Sequence, residues 1–308
     1  MQYRQCGKWG LKLPILSLGG WQTVGGYETQ GEAKKSFFAA FDAGITHFDF
    51  ANNYGTPAGN GEIVGGQILR ELPRDELIIS SKAGYYMWPG PYGEWGSRKY
   101  VIASCDQSLK RMGVEYFDIF YIHRPDPNTP LEETHGALET LIQQGKVLYG
   151  GVSSYSPEMT EQSIELKERK NWFPLTIHQP VYNLFNRWIE DGLIQSAAKH
   201  GYGIIPFSPL AQGLLSDKYV NGIPSNARLK AVSETDLRKI VALNALALER
   251  GQSLAQMALA WILRWKEVTS VLTAVSNVGQ LEDSLQILNK LDFSEDELRR
   301  IDEITSWN

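Results

Sequence analysis

Phe117-Asp118-Ile119-Phe120-Tyr121-Ile122-His123 is the stretch from which the fold is read. Apart from Asp118 it is an unbroken apolar run of strand length, as expected for a strand covered on both faces. A histidine closes it. Shortly afterwards Thr129-Pro130-Leu131-Glu132 offers a capping hydroxyl, a proline at the first helical position and a carboxylate in the first turn. The unit is therefore a buried strand, a chemically able residue at its carboxyl end, and a helix.

Working outward, the same unit recurs. Short apolar runs at residues 14–18, 46–48, 77–80, 117–122, 147–152, 175–177, 203–206 and 270–272 read as strands. Helices fit 32–43, 61–71, 97–112, 131–144, 157–170, 192–200, 254–265 and 278–289. Ser253 with Gln256 and Ser294 with Glu297 have capping-box spacing. A last helix over 295–306 has no strand after it and is expected to pack on the outside. Residues 2–13, turning near Gly7-Lys8, read as a hairpin. The polar stretch 214–233 is expected to be a functional loop, because long unstructured runs inside compact domains are often lids. No stretch reads as a linker, so residues 1–308 form a single domain.

Repeated β-α units of this number predict an α/β protein, a closed (β/α)8 TIM barrel with an N-terminal β-hairpin and an additional C-terminal helix. An open doubly wound sheet has the same alternation. The residues at the strand ends decide between them: Asp49, Lys82, His123, Ser153, Gln179 and Phe207 follow strand after strand. A barrel brings all of these to one mouth, whereas an open sheet spreads them along an edge.

Composition narrows the function. Lys and Arg number 30 against 35 Asp and Glu, a formal charge of −5, which gives no broad electrostatic reason to bind nucleic acid or an anionic membrane. Cys6 and Cys105 are too few for a disulfide framework or a thiolate zinc site. The first ten residues lack the apolar core of a secretory signal, and no apolar run approaches membrane-spanning length, so the expected location is the cytoplasm. His47, His123, His135, His178 and His200 show no metal-binding spacing, and no metal is expected. No G-x-S-x-G elbow is present. Gly59-Asn60-Gly61 is followed by Gly65, one position too late for a dinucleotide fingerprint, and reads as a turn and helix start.

Asp49, Tyr54, Lys82 and His123 gain meaning as a set. Tyr54 lies in the loop after Asp49, while Lys82 and His123 end the next two strands. A phenol titrates near 10, and a neighbouring ammonium is expected to bring it down toward working pH. A carboxylate beside the lysine keeps that ammonium charged. The set reads as a metal-free acid, with His123 placed to orient a carbonyl oxygen.

Phe48-Asp49-Phe50-Ala51-Asn52-Asn53-Tyr54, Lys82 and Tyr121-Ile122-His123-Arg124-Pro125 together resemble the aldo-keto reductase superfamily. Lys82-Ala83-Gly84-Tyr85, Met87-Trp88-Pro89-Gly90-Pro91-Tyr92-Gly93 and Ser208-Pro209-Leu210-Ala211-Gln212-Gly213-Leu214 are similar to its bacterial L-glyceraldehyde 3-phosphate and methylglyoxal reductase branch, which is related to potassium-channel β subunits. The resemblance implies a nicotinamide cofactor lying across the barrel mouth, NADPH in preference to NADH. It assigns Ser153, Ser154 and Gln179 to the carboxamide, Phe207 to stacking on the ring, and Asp49, Gly20 and Trp21 to the same neighbourhood. Ser208, Pro209, Leu210, Gln212, Lys218 and Arg228 fall to the pyrophosphate, and Ser276, Gln280, Asp283 and Ser284 to the adenosine phosphate. Ala274, Gln280 and Asp283-Ser284 depart from the usual pattern, leaving the 2′-phosphate without strong basic partners there.

The implied substrate is a small aldehyde or keto sugar of the methylglyoxal, glyceraldehyde phosphate or oxidised hexose type. Its walls are expected from Trp21, Tyr27, Tyr85, Tyr86, Met87 and Trp88, with Tyr54, His123 and Arg124 also in contact. The alternative is a nicotinamide-binding, redox-sensing regulatory subunit. Family analogy also suggests a homo-oligomer.

Overall fold

The computed structural model describes residues 1–225, 229 and 231–307. A short antiparallel hairpin, β1 (Tyr3–Gln5) and β2 (Lys12–Pro14), precedes the sheet. The strands of the sheet are β3 (Leu16–Gly19), β4 (His47–Asp49), β5 (Ile78–Ala83), β6 (Phe117–Ile122), β7 (Val147–Ser153), β8 (Ile177–Gln179), β9 (Gly203–Ile204) and β10 (Val271–Thr273). They run parallel, in chain order from β3 to β9, with β10 beside β3. The ring closes between its ends. Ile204 donates to the Glu267 carbonyl at 2.9 Å, Thr269 donates to Ile204 at 2.8 Å, and Leu272 donates to Pro206 at 2.9 Å. The barrel and its hairpin are as expected.

Alternation along each strand sorts side chains between two cores. On β6, Ile119 and Tyr121 point inward and join Ile177, Ile205 and Leu272. Phe120 and Ile122 point outward into the larger core beneath the helices. The hairpin plugs the floor: Cys6, Leu11 and Leu13 complete the inner cluster. Arg4 fastens it there by donating to the carbonyls of Leu263, Trp265 and Val268.

The outer layer is α1 (Gln30–Asp42), α2 (Asn60–Leu69), α3 (Arg98–Met112), α4 (Leu131–Gln143), α5 (Pro157–Lys170), α6 (Leu193–His200), α7 (Glu234–Glu249), α8 (Leu254–Ile262), α9 (Val278–Leu285) and α10 (Glu295–Thr305). Gly59 caps α2 in the left-handed region, as read from Gly59-Asn60-Gly61. The capping boxes at Ser253 and Ser294 form.

Two readings need correction. The helix α7 is not foreseen; Ser233, read as the end of a loop, accepts from the Asp236 amide and starts it. The Thr129 hydroxyl does not cap α4. It donates to Asp126 at 2.6 Å, and Pro130 occupies the cap position without a side-chain bond.

Inside the ring the space is full. A Cβ on Gly151 of β7 would lie 2.5 Å from Tyr121 and 2.9 Å from Ile177. Gly151→Ala is therefore expected to destabilise the barrel by about 1–3 kcal/mol through overpacking. Urea unfolding measures it, and an unchanged midpoint would contradict the packing described.

Candidate active site

The last residues of β4 and β5 bring two opposite charges into the barrel. Lys82 is fully buried and Asp49 nearly so. An isolated buried charge is very costly, so both must be paired and hydrogen-bonded. The Lys82 ammonium meets Asp49 Oδ2 and donates to the Phe50 carbonyl at 2.6 Å. Asp49 Oδ1 accepts from Ser80 Oγ at 2.6 Å and from Gln179 Nε2 at 3.2 Å. The Tyr121 ring lies 5.8 Å from the lysine nitrogen.

Below the pair runs a buried polar chain that the sequence reading misses. Ser80 contacts His47 Nε2 at 3.0 Å, His47 Nδ1 contacts Ser17 at 2.8 Å, and Ser17 contacts Ser270 at 2.6 Å. The chain runs from Ser270, just before β10, across β3, β4 and β5 and ends on the carboxylate. Serine and histidine recur here at inward positions of strands that are otherwise apolar, a pattern that by itself marks no site because serine is common in strands.

Above the pair sit Tyr54 and His123. The Tyr54 hydroxyl lies 3.5 Å from the ammonium, and its ring is 6.1 Å from the imidazole, nearly perpendicular. The four expected residues are thus brought together. The electrostatics differ from expectation. Burial pushes the Tyr54 phenol well above its ordinary value, and the charges of Asp49 and Tyr85 act in the same direction. The ammonium does not bring it down, because Asp49 already balances that charge at closer range. Burial likewise lowers Lys82, with Asp49 opposing the shift. Burial, then Lys82 and Arg124, hold His123 well below the usual histidine range, so its ring is neutral. Its Nδ1 is buried without a hydrogen-bond partner among the described residues. The mouth thus presents a protonated phenol and a neutral imidazole, both suited to hydrogen-bonding a carbonyl oxygen.

The expected cofactor residues follow other strands around the same mouth. Ser153 donates to the Gln179 carbonyl at 2.7 Å, which leaves the Ser153 lone pairs and the Gln179 side-chain oxygen able to accept. Ser154 is exposed and has positive φ. Phe207 is half-buried and tied by its backbone to Val181 and Tyr182. Asn183, another residue missed from sequence, donates to the Ser208 carbonyl at 2.9 Å and fixes that turn. Ser208, Ala211, Gln212 and Gly213 all have positive φ, and the amides of Ala211, Gly213 and Leu215 donate to carbonyls within the same turn at 3.1, 2.8 and 3.1 Å. Leu210 and Pro209 lie within it, and Lys218 is exposed beyond it. Arg228 lies outside the described residues.

Gly20 packs where a Cβ would strike Phe50 at 2.6 Å. At the far end, Gln280 is turned back to accept from the Ser276 amide at 2.9 Å, and Ser284 donates to the Gln280 carbonyl at 2.9 Å. Asp283 accepts from Gln256 at 2.6 Å.

The aromatic wall divides. Tyr85 stands edge-on to His123, with ring centres 4.6 Å apart. Trp88 turns away and packs on Tyr100 of α3 at 5.2 Å, and Met87 packs on the outer core. Trp21, Tyr27 and Tyr86 are exposed. Arg124 is engaged by its own neighbourhood: it pairs with Glu94 and donates to the Gly84 carbonyl at 3.0 Å. Among the described residues no His, Cys, Asp and Glu group could hold a metal ion, and no helix is long and apolar enough to cross a membrane.

The Aldo/keto reductase family matches residues 15–306. L-glyceraldehyde 3-phosphate reductase of Escherichia coli (strain K12) is 54% identical over 320 residues, covering 98% of this chain and 92% of the relative. A probable voltage-gated potassium channel subunit beta of Arabidopsis thaliana is 35% identical, covering 94% of this chain and 92% of that protein.

The buried chain makes a prediction about acid. Burial lowers His47 from 6.5 to about 4, with Asp49 opposing and Lys82 assisting the shift. The unfolded chain then binds a proton that the folded one refuses. The stability held above pH 6.5 is expected to fall as pH drops toward 4, by up to about 3 kcal/mol from this group. In urea unfolding from pH 7 to 4, His47→Gln should flatten that slope, and an unaltered slope would refute a neutral buried His47.

Proposed function

The chain belongs to the aldo/keto reductase family and is an oxidoreductase, and from that premise we propose that it uses NADPH to reduce a small aldehyde or keto sugar to the alcohol. The candidate substrate types are those of methylglyoxal, glyceraldehyde phosphate and oxidised hexoses. The reductase name of the relative that is 54% identical supports an aldehyde.

The observation that carries the proposal is the Tyr54 hydroxyl, held at 3.5 Å from a buried ammonium beside a neutral histidine. The cofactor's own contribution, when bound, is a hydride for the carbonyl carbon. Everything else falls to the protein. Tyr54 and His123 offer hydrogen bonds to the carbonyl oxygen and stabilise the negative charge that develops there. Tyr54 gives up its proton at the hydroxyl oxygen. Its raised proton affinity keeps it in the acid form, and an alkoxide is basic enough to take the proton even so. Lys82, fixed by Asp49, holds its nitrogen 3.5 Å from the oxygen that loses the proton. Ser153 and Gln179 hold the carboxamide, and Phe207 gives the ring a flat apolar face. The turn from Ser208 to Gly213 is assigned to the pyrophosphate on the family resemblance, with Lys218 and Arg228 as its candidate cations. Ser276, Gln280, Asp283 and Ser284 lie toward the adenosine end. The absence of strong bases among them makes the preference for NADPH a modest one, with NADH the alternative.

Tyr54→Phe is expected to bind NADPH with little change, followed by tryptophan fluorescence, while turnover of aldehydes falls about 10²–10⁴-fold. Wild-type rates in the variant would remove Tyr54 as the acid. Steady oxidation of NADPH over many turnovers in the wild-type protein supports an enzyme over a redox-sensing subunit, which would stop near one.

A further inference from the structure

Two cations bear on His123, Lys82 and Arg124. Lys82 is fully buried and spent on Asp49. Arg124 is therefore the cation to which a negatively charged group on a substrate would turn. It stands close by: its guanidinium lies 4.2 Å from the centre of the Tyr85 ring, and that ring meets His123 edge-on. A single aromatic ring separates the charge from the imidazole.

The structure closes this option. Glu94 pairs with Arg124, and the Trp95 ring covers the guanidinium from 3.6 Å. The Gly84 carbonyl accepts from both Arg124 Nε at 3.0 Å and the Trp95 amide at 3.1 Å, so one oxygen anchors cation and cover together. Trp95 has φ 75, a backbone that disfavours a bulky side chain and persists only where surroundings impose it. The surroundings do impose it. The Gly96 amide donates to Asp126 at 2.9 Å, and its carbonyl accepts from Thr134 at 2.8 Å. Glu94 and Trp95 thus sit on Arg124 at the cost of backbone strain.

We propose that Glu94 and Trp95 are specificity determinants of this mouth: they withhold the charge of Arg124, so the favoured substrates are short uncharged aldehydes and not phosphorylated ones. The proposal rests on the reductase reading above and narrows it. It sets this chain apart from the phosphate ester named for its bacterial relative. The pair leaves the polar mouth intact for neutral hydroxyaldehydes, while a phosphate must compete with the Glu94 carboxylate and meets its repulsion.

The test compares kcat/KM for glyceraldehyde and glyceraldehyde 3-phosphate with NADPH. The wild-type protein should prefer the neutral aldehyde. Glu94→Gln should raise the ratio of phosphorylated to neutral activity about tenfold, as expected when one charged hydrogen-bond partner is freed. Trp95→Gly, which uncovers the same guanidinium and relieves the backbone, should move the ratio in the same direction. Adding Arg124→Gln to Glu94→Gln should abolish the gain. A ratio unmoved in both single variants, or a gain that survives loss of Arg124, overturns the proposal. If neither aldehyde is turned over with NADPH or NADH, the reductase reading has failed. Tryptophan fluorescence titrated with inorganic phosphate then tests the masking by itself: Glu94→Gln should bind about tenfold more tightly than wild type, and equal affinity sinks it.

Discussion

A lysine with no exposed surface, paired to an almost fully buried aspartate, is the constraint around which the barrel interior is built. Such a pair is not in itself a source of stability, since desolvation offsets its attraction unless every remaining donor and acceptor is satisfied. Here the protein satisfies them from two strands and the turn after β4. Ser80 of β5 and Gln179 of β8 complete the carboxylate, and the Phe50 carbonyl completes the ammonium. Moving any of these strands by one register would leave a charge without its shell. The geometry of the candidate site and the closure of the ring are therefore one requirement.

The pair also explains which strand boundaries were legible. An apolar-run reading ends a strand at its first polar residue. The run at 46–48 stops before Asp49, the run at 77–80 before Lys82, and the run at 147–152 before Ser153. In the structure all three residues lie inside their strands, as does Gln179. Boundaries fail where the strand turns polar to build the site, so the errors mark the mouth. The floor shows the opposite: Leu11 and Leu13 are apolar and the hairpin that carries them was readable. Helix α7 escaped for another reason. Its buried residues, Ile240, Leu243, Leu246 and Ala247, follow a helical period, yet it has no strand of its own in the β-α alternation, so that alternation does not reveal it.

The candidate site was legible as a set of residues and less so as a set of energies. Sequence places an ammonium near a phenol and suggests an acidified tyrosine. It does not give the distances that decide the matter. Asp49 touches the ammonium directly, while the phenol stands at 3.5 Å. The carboxylate takes most of the field and burial does the rest, so the phenol keeps its proton. The His47 chain was unreadable for a similar reason: serines are common in strands, and only closure of the ring puts Ser17, Ser80 and Ser270 within reach of one imidazole. Asn183 escapes notice because its work is done on the backbone of a turn remote in sequence.

The charges at the mouth then share a pattern. Both cations that His123 feels carry a carboxylate of their own, Asp49 for Lys82 and Glu94 for Arg124. A site with net positive charge attracts anions from a distance and binds them in the ground state as firmly as in the transition state, which does not speed the chemical step. A site whose ions cancel pairwise offers little to an approaching substrate. In the proposed reaction, what remains is a set of fixed donors, the Tyr54 hydroxyl and the neutral imidazole, facing an oxygen that is weakly charged in the carbonyl and strongly charged as hydride arrives. Such donors strengthen as the charge develops, because they are already oriented when it does. Neutralising the cations is thus compatible with catalysis and places the burden on hydrogen-bond geometry, which the buried pair and its polar chain hold in position.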